Sequence, residues 1–363
     1  MNKEILKEIL NAPSASGDEQ AAVAVFNKYM NGFGLKHEFY DNIGNSAFSI
    51  GEGETVIMVS GHVDEVAMQV QYITDDGFIH FIKVGFADEK IMPGSVVYIT
   101  TVDGNTVKGV IGKTPIHIEE EDDEVLEKAI KIKDLKIDVG AESKEEVLEM
   151  GINVGDVIRY YRDVNTDLGA HRICGGGLDD KIGVYIVMEV MERLAKREQN
   201  DKNFFGLKNV KVYGVACTQE EVGGYGASLA AKRINPNYSI DYDVTFATDD
   251  GCVSKEEWGD VKLGKGGGIA FGPDKNRDMC NEMIRVCKKL NIPYQPFAVE
   301  AGMTNTIDIK LASTNAKTIL LSIPQRNMHT PVEVCDYRDI ESLINMTVCY
   351  ILWLEKTLAL ASV

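Results

Sequence analysis

The chain has 363 residues, of which 44% are hydrophobic and 26% are charged, and its formal net charge is -18. This is the composition of a globular protein, long enough for one large domain with a sizeable core and a smaller second domain. So acidic a protein is not expected to bind nucleic acid or an anionic membrane surface. Seven scattered cysteines and the absence of a signal peptide indicate a cytoplasmic protein, and no apolar segment is expected to span a bilayer.

The first part of the chain alternates between helical periodicity and short apolar runs. In chain order these predict helices over residues 1–10 and 19–30, two short strands within 36–50, and a buried strand over 55–60. The polar loop 14–19 is expected to cap the second helix. Directly after the buried strand come His62 and Asp64.

The pattern changes near residue 68, where helical periodicity gives way to short alternating strands. The predicted features of this block are a strand over 77–84, a hairpin over 95–111 that turns at Asp103-Gly104, an acidic run at 119–124 that is a solvated loop or a helix start, a capped helix opening at 143–146 and a strand over 157–161. We interpret residues 68–163 as a small β-rich domain, inserted into an α/β domain that residues 1–67 and 164–363 form.

Strands and helices alternate again in the last part of the chain. The predicted strands are 210–217, 242–248, 294–299 and 318–322, and the predicted helices are 182–196, 225–231, 274–290 and 336–358. A glycine-rich loop precedes the first of these helices and contains Asp179 and Asp180.

Two adjacent glutamates, Glu220 and Glu221, follow the strand 210–217. Glycines come directly after them, so the strand is expected to stop in a tight turn that aims both carboxylates into one cleft. Two like charges side by side repel each other unless a cation or a proton separates them. The pair is therefore either a solvated acidic turn, or a site where one glutamate binds a metal and the other is a general base.

Several other ionisable residues share this placement at a strand or in a glycine-rich loop. They are His62 with Asp64, Asp179 with Asp180, Asp243, and His329. Taken singly, each has an ordinary explanation as a core or surface histidine, a helix cap or a solvent-facing aspartate. Because the carboxyl ends of parallel strands meet at one edge of a sheet, the set as a whole predicts a single cleft.

Two histidines with several carboxylates and no cysteine ligand suit a pair of borderline divalent ions. Zinc and cobalt are the first choices, with manganese as a further one. One bridging carboxylate would hold the two ions roughly 3.5–4 Å apart, as in two-metal hydrolases. Such a pair acidifies a water and polarises a substrate carbonyl, but the reaction still needs a base to take the proton from the water.

The order of these motifs resembles the glutamyl aminopeptidase or tetrahedral (TET) aminopeptidase family of cytoplasmic two-metal metallopeptidases. His-x-Asp, Asp-Asp, Glu-Glu, Asp-Val-Thr and Pro-x-Arg-x-x-His follow one another along nearly the whole chain, and segments 109–117 and 137–146 of the inserted block also match. The resemblance implies an α/β domain with a central mixed, mostly parallel sheet flanked by helices, and a small PDZ-like dimerisation domain. It also implies a homo-oligomer built from dimers, with the dodecamer as the common form.

The resemblance implies two metal ions per chain. His62, Asp179 and Asp243 would bind one ion. Asp179, Glu221 and His329 would bind the other, so that Asp179 bridges the pair.

Three further residues take supporting or catalytic roles by the same resemblance. Glu220 would be the general base and later the acid. Asp64 would fix the tautomer of His62 by a hydrogen bond, and Asp180 would support the ligands from outside the metal shell. The peptide bond between Asp179 and Asp180 is expected to be cis.

The function predicted from these residues is metal-dependent removal of N-terminal residues from short peptides. In one departure from the family, residues 302–306 contain Asn305 where an aspartate is usual. This change leaves a second hypothesis open, a deacylase or other amidase that uses the same two-metal core. A non-catalytic binding or scaffold protein is a third hypothesis, which the complete set of ligand residues disfavours.

Overall fold

The computed structural model describes residues 1–115, 117, 131–162, 164–201, 206–300 and 304–361. These form two compact units. The larger consists of Met1–Asp64, Val164–Met328 and Val332–Val363, and the smaller of Glu65–Asp163 and His329–Pro331. The predicted acidic run at 119–124 lies outside the described residues.

Nine α-helices and seventeen strands are defined in the described residues. The helices are α1 (Lys3–Asn11), α2 (Gln20–Asn31), α3 (Lys144–Glu149), α4 (Leu178–Asn200), α5 (Tyr225–Ile234), α6 (Lys255–Trp258), α7 (Arg277–Leu290), α8 (Asn305–Ala312) and α9 (Tyr337–Ala361). The strands are β1 (Lys36–Tyr40), β2 (Ser46–Ile50), β3 (Thr55–His62), β4 (Ala67–Ile73), β5 (Ile79–Val84), β6 (Val96–Thr100), β7 (Thr106–Ile111), β8 (Ile137–Asp138), β9 (Val157–Tyr160), β10 (Asn165–Leu168), β11 (Arg172–Gly175), β12 (Val210–Cys217), β13 (Tyr238–Phe246), β14 (Gly267–Phe271), β15 (Tyr294–Ala298), β16 (Lys317–Gln325) and β17 (Glu333–Asp336).

The central sheet of the larger unit has eight strands in the order β1-β2-β12-β3-β13-β16-β14-β15. Its four middle strands, β12, β3, β13 and β16, run parallel to one another. Antiparallel pairings add β2 on one side and β14 on the other. The middle strands are apolar along most of their length because helices cover the sheet. The predicted α/β fold with a mixed, mostly parallel sheet is confirmed.

Helices α1, α2, α4, α7 and α9 contribute apolar residues to the main core of this unit. Helix α1 illustrates why these segments are helical. The side chain of Asn2 accepts hydrogen bonds from the backbone N–H groups of Glu4 and Ile5, which would otherwise lack partners at the helix start. Residues Ile5, Leu6, Ile9 and Leu10 then form one buried face at helical spacing.

Helix α9 has 25 residues and a mean hydropathy of 1.3 over an 18-residue window, so length and composition alone would let it cross a membrane. No apolar segment was expected to span a bilayer, and this helix meets the test of length and hydropathy for one. The helix contacts α4 and α7, and Leu343, Ile344 and Tyr350 are completely buried in the core. A long core helix meets the same test of length and hydropathy.

The smaller unit contains a closed barrel of six strands in the order β4-β5-β8-β7-β6-β9. Its interior is filled by its own apolar cluster, which includes Phe81, Val97 and Ile158. Strands β6 and β7 form the predicted hairpin around Asp103-Gly104. The predicted start of α3 is also confirmed, since the Glu146 backbone N–H donates to Ser143 Oγ over 3.2 Å.

Some elements differ from the sequence-based prediction. The strand predicted over 242–248 is β13, which begins four residues earlier, so Asp243 lies inside the strand and not at its start. The three-stranded sheet β10-β11-β17 and helix α8 were not predicted. These strands lie outside the main sheet and have four residues each, without a long apolar run that would have indicated them.

Candidate metal centre

The parallel strands bring three of the predicted site segments to one region of the larger unit. His62 is the last residue of β3, and its neighbour in the sheet is Cys217, the last residue of β12. The chain then turns through Glu220 and Glu221. On the other side of β3, strand β13 contributes Asp243.

His62, Asp179 and Asp243 form a buried group in which one ligand atom of each lies within 4.8 Å of the others. His62 Nε2 is 3.2 Å from Asp179 Oδ1. On the opposite side of the ring, Nδ1 lies 3.1 Å from the backbone oxygen of Asp64 and 3.5 Å from its Oδ1. These contacts fix the ring so that Nε2 faces Asp179.

The protonation of His62 follows from its neighbours. Burial lowers its pKa, but the hydrogen bonds with Asp179 and Asp64 and the charge of Glu220 outweigh burial and raise the pKa well above the ordinary value. The surrounding carboxylates therefore favour the protonated form of His62.

Asp179 also lies near the second glutamate of the turn, since ligand atoms of Asp179 and Glu221 are within 4.8 Å of each other. Glu333 of β17 bonds to the backbone of Asp179 and so holds it in place. The Glu333 carboxylate accepts the N–H groups of Leu178 and Asp179 over 2.7 and 3.3 Å. His329 follows β16 and has a positive φ of 60°, and its Nδ1 is 3.0 Å from the backbone oxygen of Phe86.

The peptide bond between Asp179 and Asp180 is cis, as the resemblance implied. Asp180 is completely buried, and its two carboxylate oxygens accept the backbone N–H groups of His62 and Gly183 over 3.3 and 3.0 Å. Asp180 therefore ties the end of β3 to the start of α4. Burial, reinforced by the nearby charges of Asp179 and Asp241, raises the pKa of Asp180 well above its ordinary value despite opposition from His62.

Asp64 is completely buried and organises the turn that bears the two glutamates. Its Oδ1 accepts the Glu220 N–H over 3.0 Å, and its Oδ2 accepts the Glu221 N–H over 3.1 Å and the Ser16 hydroxyl over 2.6 Å. Burial raises the pKa of Asp64, but the hydrogen bonds from His62, Ser16 and the Glu220 N–H outweigh burial and hold the pKa below its usual range.

The carboxylates of this region are crowded. Burial raises the pKa of Glu220 to about 7, and the charges of Asp64, Asp179 and Asp308 add to the effect while His62 opposes it. Burial and the charges of Asp179 and Glu220 also raise the pKa of Asp243 well above normal. Buried carboxylates that repel one another in this way suit a multivalent cation, which would neutralise them.

Sequence reasoning missed several residues that support this region. Ser16 and Glu19 of the first loop, Glu333 of β17 and Asn45 before β2 all contact it through hydrogen bonds. Asn45 accepts the Thr218 N–H over 2.9 Å. The local pattern gave no signal for these contacts, because each joins segments that are far apart in the chain.

Residues 44–346 match the family model of the M42 glutamyl aminopeptidases. The chain belongs to this family. The lysyl aminopeptidase of Pyrococcus furiosus is 30% identical over 348 residues, which cover 94% of each chain. Among solved structures, aminopeptidase APDkam598 from Desulfurococcus kamchatkensis has a TM-score of 0.86 at 33% identity, covering 96% of this chain and 93% of that one.

The TET1 peptidase of Pyrococcus horikoshii is also similar, with a TM-score of 0.82 at 31% identity over 96% of this chain and 98% of that one. That peptidase can assemble into a tetrahedron or a large octahedral shell. These likenesses confirm the resemblance on which the sequence analysis relied. Family membership places the chain among peptidases, so the predicted hydrolase class is confirmed at that level.

Proposed function

We propose that this chain is a metal-dependent aminopeptidase that removes N-terminal residues from short peptides. The observation that carries the proposal is the buried group of His62, Asp179 and Asp243, whose ligand atoms lie within 4.8 Å of one another beside Glu220. The membership of the chain in the M42 family supports the same activity.

The proposed cofactors are two divalent ions per chain, zinc or cobalt first and manganese as a further choice. His62, Asp179 and Asp243 are the proposed ligands of one ion, and Asp179, Glu221 and His329 those of the other. Imidazole nitrogens and carboxylate oxygens without a thiolate suit these metals. When bound, the ions would polarise the substrate carbonyl and lower the pKa of a water.

Glu220 is the proposed general base. It is half-buried at the turn after β12, and its pKa of about 7 allows it to exchange protons near neutral pH. In this role its carboxylate takes a proton from the attacking water and later gives it to the leaving amine. Asp64 supports both partners, because it contacts His62 at Nδ1 and accepts the Glu220 N–H.

The proposed domains are a catalytic domain of residues 1–67 and 164–363 and a PDZ-like dimerisation domain of residues 68–163. The six-stranded barrel supports the second of these. A homo-oligomer built from dimers, up to a dodecamer, is supported by the likeness to a TET1 peptidase solved as a dodecamer. A cytoplasmic location is supported by the seven cysteines, all of which are free thiols.

The test compares Glu220→Gln with Glu221→Gln. Both variants are loaded with zinc, cobalt or manganese, the bound metal is measured, and hydrolysis of aminoacyl anilides and dipeptides is followed. Glu220→Gln is expected to keep two metals and to lose roughly 10²–10⁴-fold in kcat, because the base is lost while the ligands remain. Glu221→Gln is expected to lose metal. Near-wild-type turnover of Glu220→Gln, or wild-type protein with two metals and no peptidase activity, contradicts the proposal.

One observation keeps the amidase or deacylase alternative in the test. Asn305 is completely buried at the start of α8, and among the described residues its side-chain oxygen and nitrogen have no hydrogen-bond partner. Gly302 and Met303, which precede it in the departing motif, lie outside the described residues. Faster hydrolysis of N-acylated substrates than of peptides with a free amine would favour the alternative, since an aminopeptidase requires that amine.

A further inference from the structure

The turn that bears Glu220 presents three successive backbone N–H groups to carboxylates. Those of Glu220 and Glu221 donate to Asp64, as described above. The N–H of Gln219 donates instead to Glu19 Oε1 over 3.3 Å, across 200 residues of chain. Two buried carboxylates from different parts of the larger unit therefore hold the whole turn.

The backbone of Gln219 needs such support. Its φ is 57°, in the left-handed region that residues other than glycine rarely adopt. A residue held there is strained and keeps that conformation only when its surroundings fix it. This conformation comes directly before Glu220, so it sets the direction in which the chain presents that side chain.

The Glu19 side chain bonds to the turn and not to the helix that it precedes. It is the N-cap residue of α2 and only 3% exposed, yet its side chain makes no capping bond to that helix. The sequence had predicted that this loop caps α2. Instead, Glu19 Oε1 accepts the Gly17 N–H over 2.7 Å as well as the Gln219 N–H. The carboxylate is thus buried against the turn and fixed by its own loop.

The same loop also contacts the second carboxylate that holds the turn. The Ser16 hydroxyl donates to Asp64 Oδ2 over 2.6 Å. The segment between α1 and α2 thus contacts both acceptors of the three N–H groups. This double attachment indicates that the loop positions the turn and does not merely join two helices.

We propose that Glu19 is a positioning residue for the general base, which holds the left-handed Gln219 and thereby fixes the place of Glu220. The inference rests on the proposed function, in which Glu220 takes the proton from the attacking water. Glu19 contacts no reacting group in this proposal, so its effect is exerted entirely through the turn. Misplacing a catalytic group by about 1 Å can cost on the order of 10²-fold in rate.

The test measures kcat, KM and bound metal for Glu19→Ala, Glu19→Gln and Gln20→Ala. Glu19→Ala removes the acceptor and is expected to lower kcat about 10–100-fold, with KM within about threefold of wild type and two metals retained. Glu19→Gln keeps a carbonyl acceptor and is expected to restore most of kcat. Gln20 is the adjacent, exposed residue of α2, and its alanine variant is expected to match wild type.

A double-mutant cycle separates this inference from the proposed function. In the Glu220→Gln background, Glu19→Ala is expected to cause little further loss of kcat, because the group it positions is already gone. A full additional loss there, a change in KM alone, or loss of metal from Glu19→Ala overturns the positioning role. If Glu220→Gln itself turns over like wild type, the proposed function fails instead. Should Glu19→Ala not fold, Glu19→Asp withdraws the acceptor by one methylene, and an undiminished kcat in that variant overturns the inference.

Discussion

The substitution Asp64→Asn tests whether one buried carboxylate organises the candidate centre. It preserves the size of the side chain but replaces one oxygen by an NH2 group, which donates and does not accept. Each of the two oxygens of Asp64 accepts a different backbone N–H, that of Glu220 at Oδ1 and that of Glu221 at Oδ2. Whichever oxygen is replaced, one backbone N–H therefore faces another donor.

The expected loss of stability follows from the number of hydrogen bonds that the substitution removes. The Ser16 hydroxyl can rotate to accept from the new NH2 group, so its contact can survive. The bond that is lost is one backbone hydrogen bond to a charged, completely buried acceptor, which contributes about 1.5–3 kcal/mol to stability. We therefore expect the free energy of unfolding of the larger unit to fall by that amount. Because the turn also carries Glu220, kcat is expected to fall about 10–100-fold.

The assay is urea unfolding followed by circular dichroism, together with steady-state kinetics on the zinc- and cobalt-loaded protein. Ser16→Ala is the matched control, since it removes one hydroxyl donor from the same carboxylate and leaves both backbone bonds. It is expected to cost about 1 kcal/mol and to change kcat only a few-fold. An Asp64→Asn protein that unfolds within about 0.5 kcal/mol of wild type and keeps its turnover would refute the reasoning.

Burial raises the pKa of Asp339 to about 7, against an unfolded value near 4, so between these pH values the folded state binds a proton that the unfolded state has released. The free energy of unfolding should therefore fall as pH rises from about 4 to 7. In urea unfolding, Asp339→Asn should lack this dependence of stability on pH. In Gly226→Ala the new Cβ would lie 2.1 Å from the backbone oxygen of Thr218, so the free energy of unfolding should fall by several kcal/mol, or no folded protein should be obtained. The control is Gly112→Ala, whose Cβ would have nothing within 4 Å, and it should unfold like wild type. Protons compete with metal for carboxylates of raised pKa. After removal of metal by a chelator, the affinity of the protein for zinc should therefore fall about tenfold per unit decrease in pH for each proton that the metal displaces, as measured by competition titration. An affinity that does not depend on pH would contradict this.

Sequence alone was sufficient to predict the region of the site because the fold obeys a general rule. Ligands in open α/β sheets bind beyond the carboxyl ends of the strands. His62 and the Glu220-Glu221 turn follow two buried runs that are adjacent and parallel in the sheet, and Cys217 pairs with His62 as that rule requires. Periodicity and the rule together therefore indicate one cleft.

The contacts that hold the site could not be predicted in this way. Glu19 carries the local signature of a helix cap, yet its side chain bonds to Gln219. Glu333 lies in a four-residue strand without an apolar run, so neither β17 nor its bond to Asp179 was evident. Such contacts depend on how distant segments pack, and a single sequence does not contain that information in any local window.

The turn after β12 explains how two identical, adjacent side chains can serve different purposes. Their backbone N–H groups bond to different oxygens of Asp64, which fixes the orientation of the turn. Held in this way, Glu221 has a carboxylate oxygen within 4.8 Å of a ligand atom of Asp179, where a shared cation would neutralise both. Glu220 is kept instead in surroundings that raise its pKa to about 7, which suits a group that accepts and returns a proton. The proposed division of roles therefore depends less on the glutamates themselves than on the buried carboxylates of Asp64 and Glu19, which fix the three N–H groups of the turn.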